Sequence, residues 1–127
     1  MDYSLNTVRI FVSDWQQAVA FYADTLGMEC VFQSAEMGWA QFAAGTATLG
    51  IERVTPGDPE GAELVGRFVG VSLEVTNIEA THETLSRRGV RFTSPPQRQP
   101  WGGVLAHFED PSGNVLTLLG APLDSDN

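Results

Sequence analysis

An internal repeat constrains this chain more than any other feature. Residues 8–32, "VRIFVSDWQQAVAFYADTLGMECVF", and residues 71–94, "VSLEVTNIEATHETLSRRGVRFTS", follow one plan. Each opens with apolar residues at every second position: Val8, Ile10 and Val12, then Val71, Leu73 and Val75. Two residues on stands a helix-opening side chain, Asp14 or Asn77. Asp14 and Gln17 have capping-box spacing. In the first helix Trp15, Ala18, Val19, Tyr22 and Leu26 share a face; in the second Ile78 and Leu85 mark it. Gly27 and Gly89 fit helix C-caps, where glycine enters the left-handed region cheaply.

After each glycine the period returns to two. Strands are expected over 28–35, 37–44 and 46–54, and again over 90–94, 103–109 and 114–119. Each half then reads βαβββ, and the fold class is α+β: two modules forming a curved, cleft-bearing mixed sheet. The expected organisation is a single domain over 1–127. Module one spans 5–54, a linker 55–67, module two 68–120, and a flexible C-terminal tail 121–127. The linker "TPGDPEGAELVG" is rich in Gly, Pro and acid, with a short helical turn at its end. "TSPPQRQPWGG", 93–103, reads as a second loop, and "DPSGN" as a tight turn into the last strand.

Composition removes several function classes. The 127 residues suffice for one domain with a real core. No apolar run approaches a membrane span, and the start "MDYSLNTVRI" has no basic segment or signal core, so a cytoplasmic protein with no membrane partner is expected. The net charge of −9 disfavours nucleic acid. All seven basic residues are arginine, which excludes Schiff-base chemistry and a P-loop. Cys30 is the lone cysteine, which rules out an intrachain disulfide, and it reads as a small core residue.

Alternation assigns faces. Val8, Ile10, Val12, Leu49 and Ile51 turn towards the first helix, leaving Thr7, Arg9, Phe11, Thr48, Gly50 and Glu52 on the far side. In the second half Gly70, Ser72, Glu74, Leu105, His107, Val115 and Thr117 take the far side. Trp39 falls there too, with Gln41, while Phe42 turns to the helix. This mixture of polar and apolar residues suits a partly dry pocket.

With "VRIFVSDWQQAVAFYADTLGMECV", "GVSLEVTNIEATHETLSRRGVRF" and "PWGGVLAHFEDPSGNVLTLLG" in view, the chain resembles the vicinal oxygen chelate superfamily over about residues 5–120. That superfamily includes glyoxalase I, extradiol dioxygenases and the fosfomycin- and bleomycin-resistance proteins. The resemblance implies paired βαβββ modules around a cleft. In metal-dependent members the ligands are His, Glu or Gln on the first and fourth strands of each module. Carried over, those places hold Thr7, Gly50, Gly70 and Thr117, a poor donor set for a divalent ion. His107 with Glu52 and Glu74 is the one unusual alternative set, and His82, on the second helix, reads as a surface or packing residue.

The resemblance therefore implies a metal-independent small-molecule binding protein of the bleomycin-resistance type, with no cofactor, acting in sequestration or resistance and pairing as a homodimer. Expected ligand contacts are Trp39, Trp101, Glu52, His107, Arg9, Phe11 and Glu74. Two tryptophan faces and acidic walls point to a ligand that is aromatic or cationic. Arg9 either pairs with a cleft glutamate or holds a ligand carboxylate or phosphate. Two alternatives stay open: an enzyme (lyase, isomerase or dioxygenase-like) using His107 or a cleft Glu as base, and a ligand-sensing or scaffold module.

Overall fold

The computed structural model describes residues 1–121. Residues 122–127, most of the tail expected over 121–127, lie outside the described residues. The chain is a mixed α+β protein with two sheets, and it divides into two compact units: Met1–Arg67 with Pro111–Asn114, and Phe68–Asp110 with the chain from Val115.

In the first unit β1 (Thr7–Val12), β2 (Cys30–Ser34), β3 (Trp39–Ala44) and β4 (Ala47–Arg53) form a sheet of order β1-β4-β3-β2. β1 runs parallel to β4 and the other neighbours are antiparallel. Ile10, Val12, Ala40, Phe42, Leu49 and Ile51 are buried on one face, as alternation requires. Against them packs α1 (Trp15–Ala20), whose N-cap Asp14 accepts a hydrogen bond from Gln17 N at 3.1 Å. Trp15 donates from Nε1 to Ile51 O, and the Tyr22 and Phe42 rings lie 5.9 Å apart.

The helix does not stay regular to its glycine cap: Phe21–Thr25 is π-helical. Adjacent Phe21 and Tyr22 are both buried in this wider turn, with their rings edge-on at 5.2 Å. Val19 and Leu26, expected on the buried face, are half-buried. Cys30 is no core residue either. It sits half-buried on β2, an edge strand whose Val31 and Phe32 are exposed.

The linker carries α2 (Pro59–Glu63), opened by Asp58 with proline in the first turn. Its end is held by Asn114, which is buried. The Asn114 carboxamide accepts from Gly66 N at 2.8 Å and Arg67 N at 3.3 Å, and donates to Phe11 O at 2.8 Å. The tight turn of "DPSGN" thus ends in a side-chain clamp between linker and first strand.

In the second unit β5 (Phe68–Val75) leads to α3 (Ile78–Arg87), capped by Asn77, which accepts from Ala80 N at 3.0 Å. β6 (Arg91–Phe92), β7 (Gln97–Arg98), β8 (Val104–Glu109) and β9 (Val115–Gly120) complete a sheet of order β5-β9-β8-β6, with β7 also on β8. The segment read as a pure loop, 93–103, therefore contains a short strand, because Gln97 and Arg98 pair with Leu105 and Val104. His82 packs its ring 4.4 Å from Phe92 in an edge-on contact. Among the described residues no helix is long and apolar enough to cross a membrane.

Candidate functional site

The far face of the first sheet is a grid set by strand register. Arg9, Gly50 and Gln41 stand side by side on β1, β4 and β3. Phe11, Glu52 and Trp39 form the next row, and Thr7, Thr48 and Ala43 the row on the other side. Gly50 has no side chain to fill its place in the grid, and the Trp39 indole fills it. A Cβ on Gly50 would lie 2.8 Å from Trp39 Cζ2 and Cζ3 and closer still to Cη2. An interior strand glycine often marks such a close approach.

Hydrogen bonds hold the ring in this place. Trp39 Nε1 donates to Gln41 Oε1 at 3.1 Å, and Gln41 Nε2 donates to Thr48 Oγ1 at 3.0 Å. Thr48 Oγ1 in turn lies 2.9 Å from Thr7 Oγ1. The indole is therefore pinned at its polar edge and seated on backbone.

Arg9 and Glu52 form an ion pair, Nε to Oε1, at 2.9 Å. The guanidinium also lies over the Phe11 ring, 5.1 Å from its centroid. The hydrogen bond to Glu52, and then the carboxylate's charge, raise the Arg9 pKa above its ordinary value, so the side chain is a permanent cation. Glu52 was expected as an acidic wall; with Arg9 against it, it is no longer a lone anion waiting for a cationic ligand.

On the second sheet the middle row is Ser72, Thr117 and His107. Thr117 is 2% exposed, and its hydroxyl lies 2.8 Å from His107 Nδ1. The hydroxyl at this place in the last strand thus has the imidazole as its partner. The Phe68 ring meets the same imidazole edge-on at 5.8 Å. Glu74 is exposed on β5, opposite Leu119. Trp101 sits at the tip of the β7–β8 hairpin, closed by Gln99 N donating to Gly103 O at 2.7 Å. It is 64% exposed, and its ring folds back over Gly103, where a Cβ would overlap it.

The four places that the resemblance assigns to metal ligands offer a poor donor set for a divalent ion. Gly50 and Gly70 offer no donor side chain. The Thr7 hydroxyl is engaged with Thr48 and that of Thr117 with His107. Among the described residues no three His, Cys, Asp or Glu gather to hold a metal.

Trp39, Glu52, Arg9 and Phe11 therefore share one sheet face in the first unit, while His107, Glu74 and Trp101 belong to the second. Sequence reading placed Trp39 on the correct face but missed why Gly50 is glycine. A depression of about 470 Å³ elsewhere in the first unit, lined by Val54, Pro56, Pro59, Ala62 and Val65 among others, has Asp58 as its only ionisable group and no aromatic ring.

Comparison with known proteins places the whole arrangement. A solved structure from Sphaerobacter thermophilus, a member of the glyoxalase/bleomycin resistance protein/dioxygenase superfamily, is 31% identical, covers 94% of this chain and 98% of its own, and superposes with a TM-score of 0.80. TnmS3, an antibiotic binding protein from Streptomyces sp. CB03234, is 30% identical with 94% and 97% covered and a TM-score of 0.76. The uncharacterized Bacillus subtilis protein YraH is 28% identical over 120 residues, 87% of this chain and 93% of YraH. The family model for the Glyoxalase/Bleomycin resistance protein/Dioxygenase superfamily matches residues 4–118, and the chain belongs to that superfamily.

Proposed function

We propose that this chain is a metal-independent binding protein that sequesters a flat, partly aromatic small molecule on the far face of its first sheet. The observation that carries the reading is the Trp39 indole laid on Gly50 and pinned by Gln41. A preorganised aromatic face binds a planar partner without first ordering a mobile side chain. The similarity to an antibiotic binding protein supports the same class of activity. Trp101, His107 and Glu74 are proposed as ligand-contacting residues of the second unit, each tested by its own alanine variant.

The test is a panel of planar aromatic compounds titrated into the protein, read by tryptophan fluorescence. A binder should quench emission, and Trp39→Ala should weaken it by about 2 kcal/mol, a typical loss for a stacked ring and its buried area. Unchanged affinity in Trp39→Ala would show the reading to be wrong. Elemental analysis of protein purified without chelator should find no stoichiometric divalent ion; one equivalent would contradict the metal-independent part.

A homodimer belongs to the same proposal. Val31 and Phe32, exposed on the β2 edge, are apolar surface that a second copy would cover. Light scattering should return twice the 13.7 kDa chain mass, and a monomer at high concentration would reject it.

A further inference from the structure

We infer that the preferred ligand is an aromatic acid, its ring system on the Trp39 indole and its carboxylate or phenolate oxygen on the outer amino groups of Arg9. The inference rests on the proposed binding role of Trp39 and adds the charge of the ligand. Three observations carry it. First, Arg9 is the Cα partner of Gly50, the residue under the indole, so the arginine stem rises one strand away from the ring. Neighbouring strands are about 4.8 Å apart, well within the reach of one bicyclic ligand.

Second, Arg9 engages Glu52 through Nε alone. A guanidinium has five N–H donors in a planar fork, and the two terminal amino groups carry four of them. No partner among the described residues takes those groups, and the side chain is 57% exposed. Third, the cation is held in place on two sides, by Glu52 and by the Phe11 ring beneath it. Its outer edge is thus presented in a fixed orientation. An oxyanion meeting that edge gains charge-assisted hydrogen bonds that a neutral or cationic group cannot make. The overall charge of −9 does not forbid this, because charges beyond about 8–10 Å are largely screened at physiological salt while a contact is not.

The experiment uses two probes with the same ring: 2-naphthoate and its uncharged amide, 2-naphthamide. Both are titrated into the full chain at neutral pH by calorimetry and tryptophan fluorescence. Naphthoate should bind about tenfold tighter or better, the value of one charge-assisted hydrogen bond. Arg9→Gln should bring the two probes to equal affinity by weakening naphthoate alone. The double variant Arg9→Gln, Glu52→Gln, which leaves no unpaired carboxylate, should behave the same way. Equal affinity of the two probes for the unmodified chain, a preference that survives Arg9→Gln, or no naphthoate binding up to its solubility limit would each overturn the inference. If both probes bind equally and both weaken in Trp39→Ala, the charge assignment falls and the aromatic face stands. If Trp39→Ala leaves both affinities unchanged, the binding role of Trp39 falls with it.

Discussion

The middle rows of the two sheets use one register and hold different contents. On the first sheet the row is Arg9, Gly50, Gln41; on the second it is Ser72, Thr117, His107. The fourth-strand residue makes the difference. Gly50 leaves its place empty, so the half-buried ring of Trp39 from the neighbouring strand occupies it. Thr117 fills its own place and uses its hydroxyl to orient His107. One repeat thus yields an indole seated on backbone in one unit and a hydroxyl-bonded imidazole in the other. The choice between them turns on whether a single position carries a side chain.

The sharpest way to break this contrast is to fill the empty place. Gly50→Val should force the indole off its seat. It should cost about 2–3 kcal/mol of stability through overpacking, read by urea denaturation, and remove binding of planar probes as fully as Trp39→Ala does. If probes bind the folded Gly50→Val protein normally, the seat does not organise the site. Next in size is Trp39→Ala itself, at about 2 kcal/mol of probe affinity by calorimetry.

On the second sheet the matching change is Thr117→Val, which keeps the shape and removes the hydroxyl. It should cost about 1–2 kcal/mol, because a buried bond to His107 Nδ1 is lost, and should alter the imidazole 15N shifts that report the tautomer. Unaltered shifts would mean that Thr117 does not orient the ring. Smallest is Glu52→Gln. Removing the carboxylate that holds Arg9 through Nε should weaken naphthoate about two- to threefold, since an exposed ion pair contributes under about 1 kcal/mol. An unchanged or tighter affinity would mean that Glu52 does not hold Arg9 in its binding posture.

The fold was largely legible because the repeat, the alternation and the cap residues agree with one another. Asp14 and Asn77 open helices as their side chains demand, and alternation correctly divides Ile10 and Val12 from Arg9 and Phe11. What escaped depends on contacts remote in sequence or on a changed period. The π-helical turn that buries both Phe21 and Tyr22 carries no distinct sequence signal. Asn114 looks like an ordinary turn residue, and its partners lie 47, 48 and 103 positions away. Proline masked the short strand at Gln97–Arg98.

At the site, alternation gave the face of Trp39 but not its lean across the strand onto Gly50. The glycine inside a strand was the available clue, and the carry-over of metal-ligand places absorbed it. Glu52 and Arg9 were both assigned to the correct face. Their pairing, which decides the local charge a ligand meets, required the register of β1 against β4.

Stacking of a ligand on the indole seated over Gly50 can be read by 19F NMR of protein labelled with 5-fluorotryptophan. The chain has three tryptophans, and Trp39→Phe and Trp101→Phe assign their resonances. Titration with 2-naphthoate should shift the Trp39 resonance saturably, with the same affinity that calorimetry gives, and leave that of buried Trp15 in place. A probe that binds by calorimetry while the Trp39 resonance stays unmoved would show that the ligand does not stack on this indole.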